Sequence, residues 1–490
     1  MKRVTIAVVA DIHYGFSSRV SKRRYEIADL LLMRTVRRLN QLVRPDVTLV
    51  LGDLIDEGDS PDAEKHLKHL RKILDKLQSP YIAIPGNHDE DPDAFYRIFD
   101  RPTDIVDIAG IRFLSFLDEE TAGCNAHRSD YDLDRIRLAR ADYQGPIVSL
   151  QHVCLHPPGA DETPYNYTNA NDVIRVMQEA GVTLSISGHH HAGAPNVEAG
   201  EVTFINAPGV CEAPFPFLEV TLDGDTIRTQ QHQLAMPEVL RLHDTHVHTQ
   251  LAYCSENMEV GKVINLAQVF GLAGLTFTEH SGQLYFKNRA YWDHLWFPNG
   301  MADADESHNR MGAYLALKQA HEDGPARFSL EVDCDARGGL VLKSSDRQHF
   351  ATIIGAVHAL PRLTREMPPQ QSDQDDFLFL VEALCKQGIR SLAHPLRIFR
   401  LSGWPAPAEV FAPTVQLLKK YQVAMEINYH TNEPPVPFVQ ACLDAGVKFT
   451  FGSDAHNLYE LGDFAYHLAV LKEAGFDGDL SDVLLGEDAF

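Results

Sequence analysis

Cysteine is scarce in this chain. Seven occur in 490 residues, at Cys124, Cys154, Cys211, Cys254, Cys334, Cys385 and Cys442. The number is odd and no CxxC pair is present, which argues against a disulfide framework and fits a reducing compartment. Positive charge is also short. Against 68 Asp and Glu stand 44 Lys and Arg, for a formal charge of −24. That balance argues against non-specific binding to duplex nucleic acid or anionic membranes, but not against a small anion held at a metal. Long apolar runs are missing as well, and none approaches the roughly 20 residues of a membrane span. The short run at residues 4–9 breaks directly into Asp11-Ile12-His13, as a buried first strand does and a secretory leader does not. A cytoplasmic protein is the expectation, with no membrane and no long nucleic acid among its partners.

A chain of this length calls for two or more domains. What it has in quantity is short, β-branched apolar runs that stop at polar residues. In the first half, residues 4–10 run into Asp11, 47–51 into Gly52-Asp53, and 81–84 into Pro85-Gly86-Asn87-His88. Residues 147–150 run into His152, and 184–187 into Gly188-His189. Such runs read as strands buried on both faces, with functional groups at their ends. Helical patterns at 25–42 and 63–77 lie between them, and further runs at 111–117, 202–206 and 217–222 suggest a second sheet. Ala235-Met236-Pro237 interrupts this rhythm, so domains are predicted over 1–232 and 240–490.

After the break the pattern restarts. Residues 239–242 lead into Asp244-Thr245-His246, 274–278 into Glu279-His280, 328–330 into Glu331, and 352–357 into His358. Residues 389–393 lead into His394, 424–427 into Asn428, and 449–451 into Gly452-Ser453-Asp454. Helical stretches at 261–270, 311–322, 375–386 and 408–419 separate them. Seven such units predict a barrel of the TIM type, one unit short.

The first polar set suits two divalent metals. Asp53 is the natural bridge. Asp11, His13 and His191 would complete one metal, and Asn87, His152 and His189 the other. His88 adjoins a ligand and is free to act as a general acid on a leaving oxygen. These residues resemble the calcineurin-like metallophosphoesterase signature of DxH, GD, GNH[D/E], a separate His and GHxH, over about residues 1–230. The resemblance implies an α/β/β/α sandwich of two sheets and hydrolysis of phosphomonoesters or diesters. Within Gly188-His189-His190-His191, His190 reads as a bystander. His156 either touches substrate or packs its loop.

In the second half, His246-x-His248, Glu279-His280, Glu331, His358, His394-Pro395 and Gly452-Ser453-Asp454-Ala455-His456 resemble the PHP (polymerase and histidinol phosphatase) superfamily over about residues 240–460. The resemblance implies a distorted (β/α)7 TIM-like barrel binding up to three metals. Carried over by position, His246, His248, Glu331 and Asp454 hold the first metal. Glu331 bridges to a second held by His358 and His394, and His280 and His456 belong to the third. The family's usual additional histidine is replaced here by Cys254. Three readings stay open: thiolate ligation, substitution by Glu256, or a weak third site. The aromatic-rich segment 285–297 reads as a stacking loop with Lys287 or Arg289 on phosphate, or as a lid or subunit contact. Arg397 reads as a phosphate-oxygen ligand or a salt bridge.

The whole is an α/β chain read as a metal-dependent phosphoric ester hydrolase with two hydrolytic sites. The catalytic candidates are His88, Asp53 and Glu331. Two divalent metals (Mn, Fe or Zn) are expected in the first domain and two or three in the second. The substrate would be a small phosphorylated molecule, including nucleotide-like ones, with a diester opened at one site and a monoester cleared at the other. The alternatives are one catalytic and one regulatory domain, a metal-dependent nucleotide-binding scaffold, and a nuclease for short oligonucleotides. Oligomeric state is not legible.

Overall fold

The computed structural model describes residues 3–18, 20–89, 91–160, 162–430, 433–486 and 489. The chain forms two compact units, Met1–Ala235 and Met236–Phe490.

The first unit holds two mixed sheets. One has the order Thr226–Gln233, Pro216–Asp223, Val4–Val9, Val47–Leu51, Tyr81–Ile84. The other runs Ala194–Ala199, Val202–Asn206, Leu184–Ser187, Ile147–Leu150, Ile111–Ser115, Val106–Ile108. Alternate residues explain why they stack. Val4, Ile6 and Val8, Leu49 and Leu51, and Val220 and Leu222 of one sheet share a buried cluster with Ile111 and Phe113, Val148 and Leu150, and Leu184 and Ile186 of the other. A strand shows alternate side chains to one face, so this cluster is the interior between two face-to-face sheets. The second sheet's opposite face, with Leu114 and Ile147, packs under Leu133 and Ile136 of helix Asp130–Leu138 and Val173 and Met177 of helix Ala170–Glu179. The strand-rich runs divide differently from the sequence expectation. Strand Pro216–Asp223 returns to the first sheet, antiparallel to Val4–Val9, while Ile147–Leu150 and Leu184–Ser187 lie in the second.

The second unit is a seven-stranded parallel sheet in sequence order: His243–Val247, Gly274–His280, Ala326–Val332, Ile354–Gly355, Ser391–Leu392, Ala424–Asn428, Phe449–Gly452. The first and last strands meet. Asp454 N donates to the His246 carbonyl at 2.8 Å and His248 N to that of Ala455 at 3.2 Å, so the sheet nearly closes into a distorted TIM-like barrel. The first strand starts later than its sequence suggests. Residues Glu238–Leu240 form a 3-10 turn and Val239 is 85 % exposed. Pro237 sets the turn's entry, and Arg241 at φ 45° redirects the chain into His243. Among the described residues no helix is long and apolar enough to cross a membrane.

Candidate metal centres

The first centre lies where parallel strands of both sheets end. Asp11 and His13 follow Val4–Val9, Asp53 follows Val47–Leu51, and Asn87 and His88 follow Tyr81–Ile84. His152 follows Ile147–Leu150, and His189 and His191 follow Leu184–Ser187. The backbone is bent out of its usual range to do this: Asp11, His13, Asp53 and His189 have φ of 55°, 52°, 51° and 69°. Such values in non-glycine residues gather where function dictates direction. Gly52 (φ 87°) is needed for a second reason, because a Cβ there would lie 2.6 Å from Gly86 N and 2.7 Å from His152 Nδ1.

Asp53 stands at the middle. The His88 amide donates to its Oδ1 at 2.8 Å, while Oδ2 lies 3.5 Å from His13 Nε2 and 3.3 Å from His152 Nε2. On one side His13 Nε2 and His191 Nε2 are 3.1 Å apart, with Asp11 Oδ1 3.6 Å from the latter. On the other, His152 Nε2 is 3.1 Å from both Asn87 Oδ1 and His189 Nδ1. Four of the outer ring nitrogens face acceptors. His13 Nδ1 is 3.0 Å from Asp56, which Arg23 holds at 2.7 Å, and His191 Nδ1 is 2.9 Å from Glu212. His152 Nδ1 donates to the Leu51 carbonyl at 2.7 Å and His88 Nδ1 to that of Asp56 at 2.8 Å. A carboxylate or carbonyl on Nδ1 fixes the proton there, so in their neutral form the rings of His13, His152 and His191 aim an Nε2 lone pair inward. Lone pairs facing each other with no proton between them, around a central carboxylate, are a donor set that fits a cation. The field of the surrounding carboxylates favours positive charge here, on the ring itself or on a cation. Burial opposes protonation of His152, but Asp53, Asp11 and the Leu51 carbonyl outweigh it and push the imidazole up to about 10.

The second centre sits at the mouth formed by the barrel's strand ends. Glu331 Oε1 is 2.7 Å from His394 Nε2 and 3.4 Å from His358 Nε2. Its Oε2 is 2.5 Å from His280 Nδ1, 3.6 Å from His246 Nε2 and 3.9 Å from His248 Nε2. His246 Nε2 and His248 Nε2 again oppose each other at 3.1 Å, and Asp454 Oδ1 reaches both, at 3.4 and 2.9 Å. His456 packs its ring 4.2 Å from that of His248. Outer nitrogens are again held by acids: His246 by Glu426 at 2.9 Å, His248 by Glu279 at 3.4 Å, His358 by Asp333 at 2.7 Å. Groups of His, Asp and Glu able to coordinate divalent metals are therefore present in both units.

Two of the weaker sequence candidates separate. Arg397 is buried within the second centre, paired with Asp454 and His394 and 3.2 Å from His358 Nε2. Arg289 is not brought to it: its side chain is 94 % exposed and pairs with Asp293. Cys254 Sγ lies 3.9 Å from His280 Nε2, with its thiol pushed up to about 12 by burial, while Glu256 is exposed. Several residues at the centres went unread in the sequence: Asp56, Cys211 and Glu212 in the first, Asp333, Glu426 and His430 in the second. His430 stacks on His456 at 4.5 Å, with Glu460 2.9 Å from its Nδ1. Glu426 had a signal, as a charge inside the buried strand Ala424–Asn428. Cys211 and Glu212 had none, being far in sequence from the histidine they meet.

Comparison with known proteins matches residues 4–193 to the calcineurin-like phosphoesterase family. A probable phosphatase of Aeromonas hydrophila subsp. hydrophila is 30 % identical over 109 residues, 20 % of this chain and 41 % of that protein. A probable cyclic nucleotide phosphodiesterase of Rhodococcus erythropolis is 29 % identical over 171 residues, 32 % of this chain and 55 % of that protein. The chain thus spans about half the length, or less, of these curated relatives. A dimetal phosphatase from Danio rerio superposes with a TM-score of 0.39 at 18 % identity, over 47 % of this chain and 96 % of that one. The N-terminal unit is accordingly a calcineurin-like phosphoesterase domain, fused to a second unit whose nearly closed parallel barrel is consistent with a PHP-like fold.

Proposed function

We propose that the chain is a metal-dependent phosphoric ester hydrolase with two hydrolytic sites, acting on small phosphodiesters and phosphomonoesters. The observation that carries this reading is the repeated arrangement itself. In each unit a central carboxylate, Asp53 or Glu331, faces inward imidazole nitrogens, and rings in each (His13 and His152, His246 and His358) have an acceptor at the outer nitrogen. The relatives named above, a probable phosphatase and a probable cyclic nucleotide phosphodiesterase, support both ester classes.

Asp11, His13, Asp53, Asn87, His152, His189 and His191 would hold two metals in the first unit. His246, His248, His280, Glu331, His358, His394, Asp454 and His456, with Cys254 beside His280, would hold two or three in the second. Divalent Mn, Fe or Zn there would supply Lewis-acid polarisation of the phosphate and a more acidic water. His88 is the general acid of the first site. Its Nδ1–H is taken by the Asp56 carbonyl, so Nε2 is the atom that would carry a proton to the leaving oxygen. Arg397 would hold a phosphate oxygen at the second site, its planar guanidinium already aimed there by Asp454. The two sites would act in sequence, one opening a diester and the other removing phosphate from the resulting monoester.

The test is a screen of Mn²⁺, Zn²⁺ and Fe²⁺ against monoesters, linear diesters and cyclic nucleotides, run on wild type, Asp53→Asn and Glu331→Gln. The reading requires each variant to lose a different part of the substrate range. Metal retention without turnover of any ester would sink it in favour of a binding scaffold. Loss confined to one variant would leave a single catalytic unit with a regulatory partner.

A further inference from the structure

The second centre opens into a cavity of about 690 Å³ whose walls differ from its floor. The floor is the cluster of His280, His358, His456 and Arg397. Large apolar side chains of Trp292, Phe297, Leu360, Leu363, Ile398 and Leu401 line the rest of it, interspersed with polar ones such as His294, Thr364, Arg365, Ser402 and His430. These walls come from separate pieces of chain. Trp292 ends a short helix over Asn288–Trp292, and Ile398 and Leu401 belong to helix Arg397–Leu401. Leu360 and Leu363 lie on the irregular stretch after strand Ile354–Gly355.

Two features make these walls informative. Trp292 is 47 % exposed and Leu401 46 %, so large apolar surface is left uncovered beside a charged cluster. A site for a small hydroxylated phosphate has no use for such surface, because hydroxyls taken out of water need partners. A phosphate at the floor instead leaves its organic group against Trp292 and Leu401, where burying apolar area favours binding.

We infer that the C-terminal site is selective for phosphoesters with a bulky apolar organic group, seated against Trp292, Phe297, Leu360, Leu363 and Leu401. This substrate class rests on the reading of the second centre as a hydrolytic site.

The test uses the full-length, Mn²⁺-loaded Asp53→Asn protein, in which the first site is disabled. kcat/KM is measured for 2-phenylethyl phosphate, ethyl phosphate and glucose 6-phosphate, all esters of primary alcohols. The phenylethyl ester should exceed each of the others by about tenfold or more. Adding Trp292→Ala or Leu401→Ala should shrink that ratio. Parity, or preference for the sugar phosphate, overturns the inference while leaving hydrolysis intact. A second readout follows tryptophan fluorescence during titration with 2-phenylethylphosphonate and ethylphosphonate. If no ester is turned over, the hydrolytic reading has failed. Tighter binding of the phenylethyl compound would still support the apolar subsite, and equal binding would overturn it.

Discussion

The two centres reach similar donor sets by different routes. In the first, strands from two stacked sheets converge, and four ligand positions hold a left-handed backbone to do so. In the second, the barrel brings its strand ends to one mouth, and positive φ among the carried-over ligands is confined to His394 and Asp454. The acids behind the histidines differ too. Glu212 is partly exposed in the first centre, whereas Glu279 and Glu426 are fully buried in the second. Arginine marks the largest contrast. Arg23 stands behind Asp56, one step from the donors, while Arg397 lies among them. The sandwich site positions its histidines from outside, and the barrel site places a guanidinium among them.

Substitutions at the central carboxylates should have the largest effects. Asp53→Asn and Glu331→Gln should each lower turnover at their own site by more than about 100-fold, exceeding the usual cost of losing an outer partner. Steady-state kinetics on a diester and a monoester would check this, and equal loss at both sites would erase the distinction between them. Next comes the buried acid. Glu426→Gln should weaken metal affinity by about 10- to 100-fold, and Glu212→Gln by less, because water can replace a partly exposed carboxylate. Metal titration by calorimetry reads both, and a larger effect at Glu212 would reverse the argument. Arg397→Lys should raise KM at the second site by about tenfold, since a point charge cannot reproduce a planar fork. Arg23→Lys should change KM at the first site by less. The smallest effect belongs to Arg289→Ala, with stability expected within about 0.5 kcal/mol of wild type and unchanged KM.

The inward-facing residues were legible because each interrupts an apolar run. A strand buried on both faces has no ordinary use for Asp, His or Glu at its end, so Asp11, Asp53, His152, Glu331 and His394 stood out. Continuous apolar runs also announced the strands, and their restart after Met236 announced a second unit. The outer partners were not legible in the same way. Asp56 and Glu212 gain meaning only when distant segments meet a histidine edge, and no periodicity marks such a meeting. The 3-10 turn over Glu238–Leu240 was misread for a local reason: its residues suit a strand, but Pro237 and the left-handed Arg241 do not permit one. Arg289 and Arg397 looked alike as cations near histidines, and only packing separates an exposed helix residue from a buried one.

Two centres that work independently and in sequence can be separated by following bis(p-nitrophenyl) phosphate to free phosphate with full-length variants, alone and mixed. Asp53→Asn should leave the diester intact yet hydrolyse p-nitrophenyl phosphate, and Glu331→Gln should open the diester and accumulate that monoester. Mixing the two variants should restore phosphate release, because the monoester can diffuse from one protein to the other. Release of phosphate from the diester by Glu331→Gln alone at the wild-type rate, or no recovery on mixing, would contradict independent, sequential action.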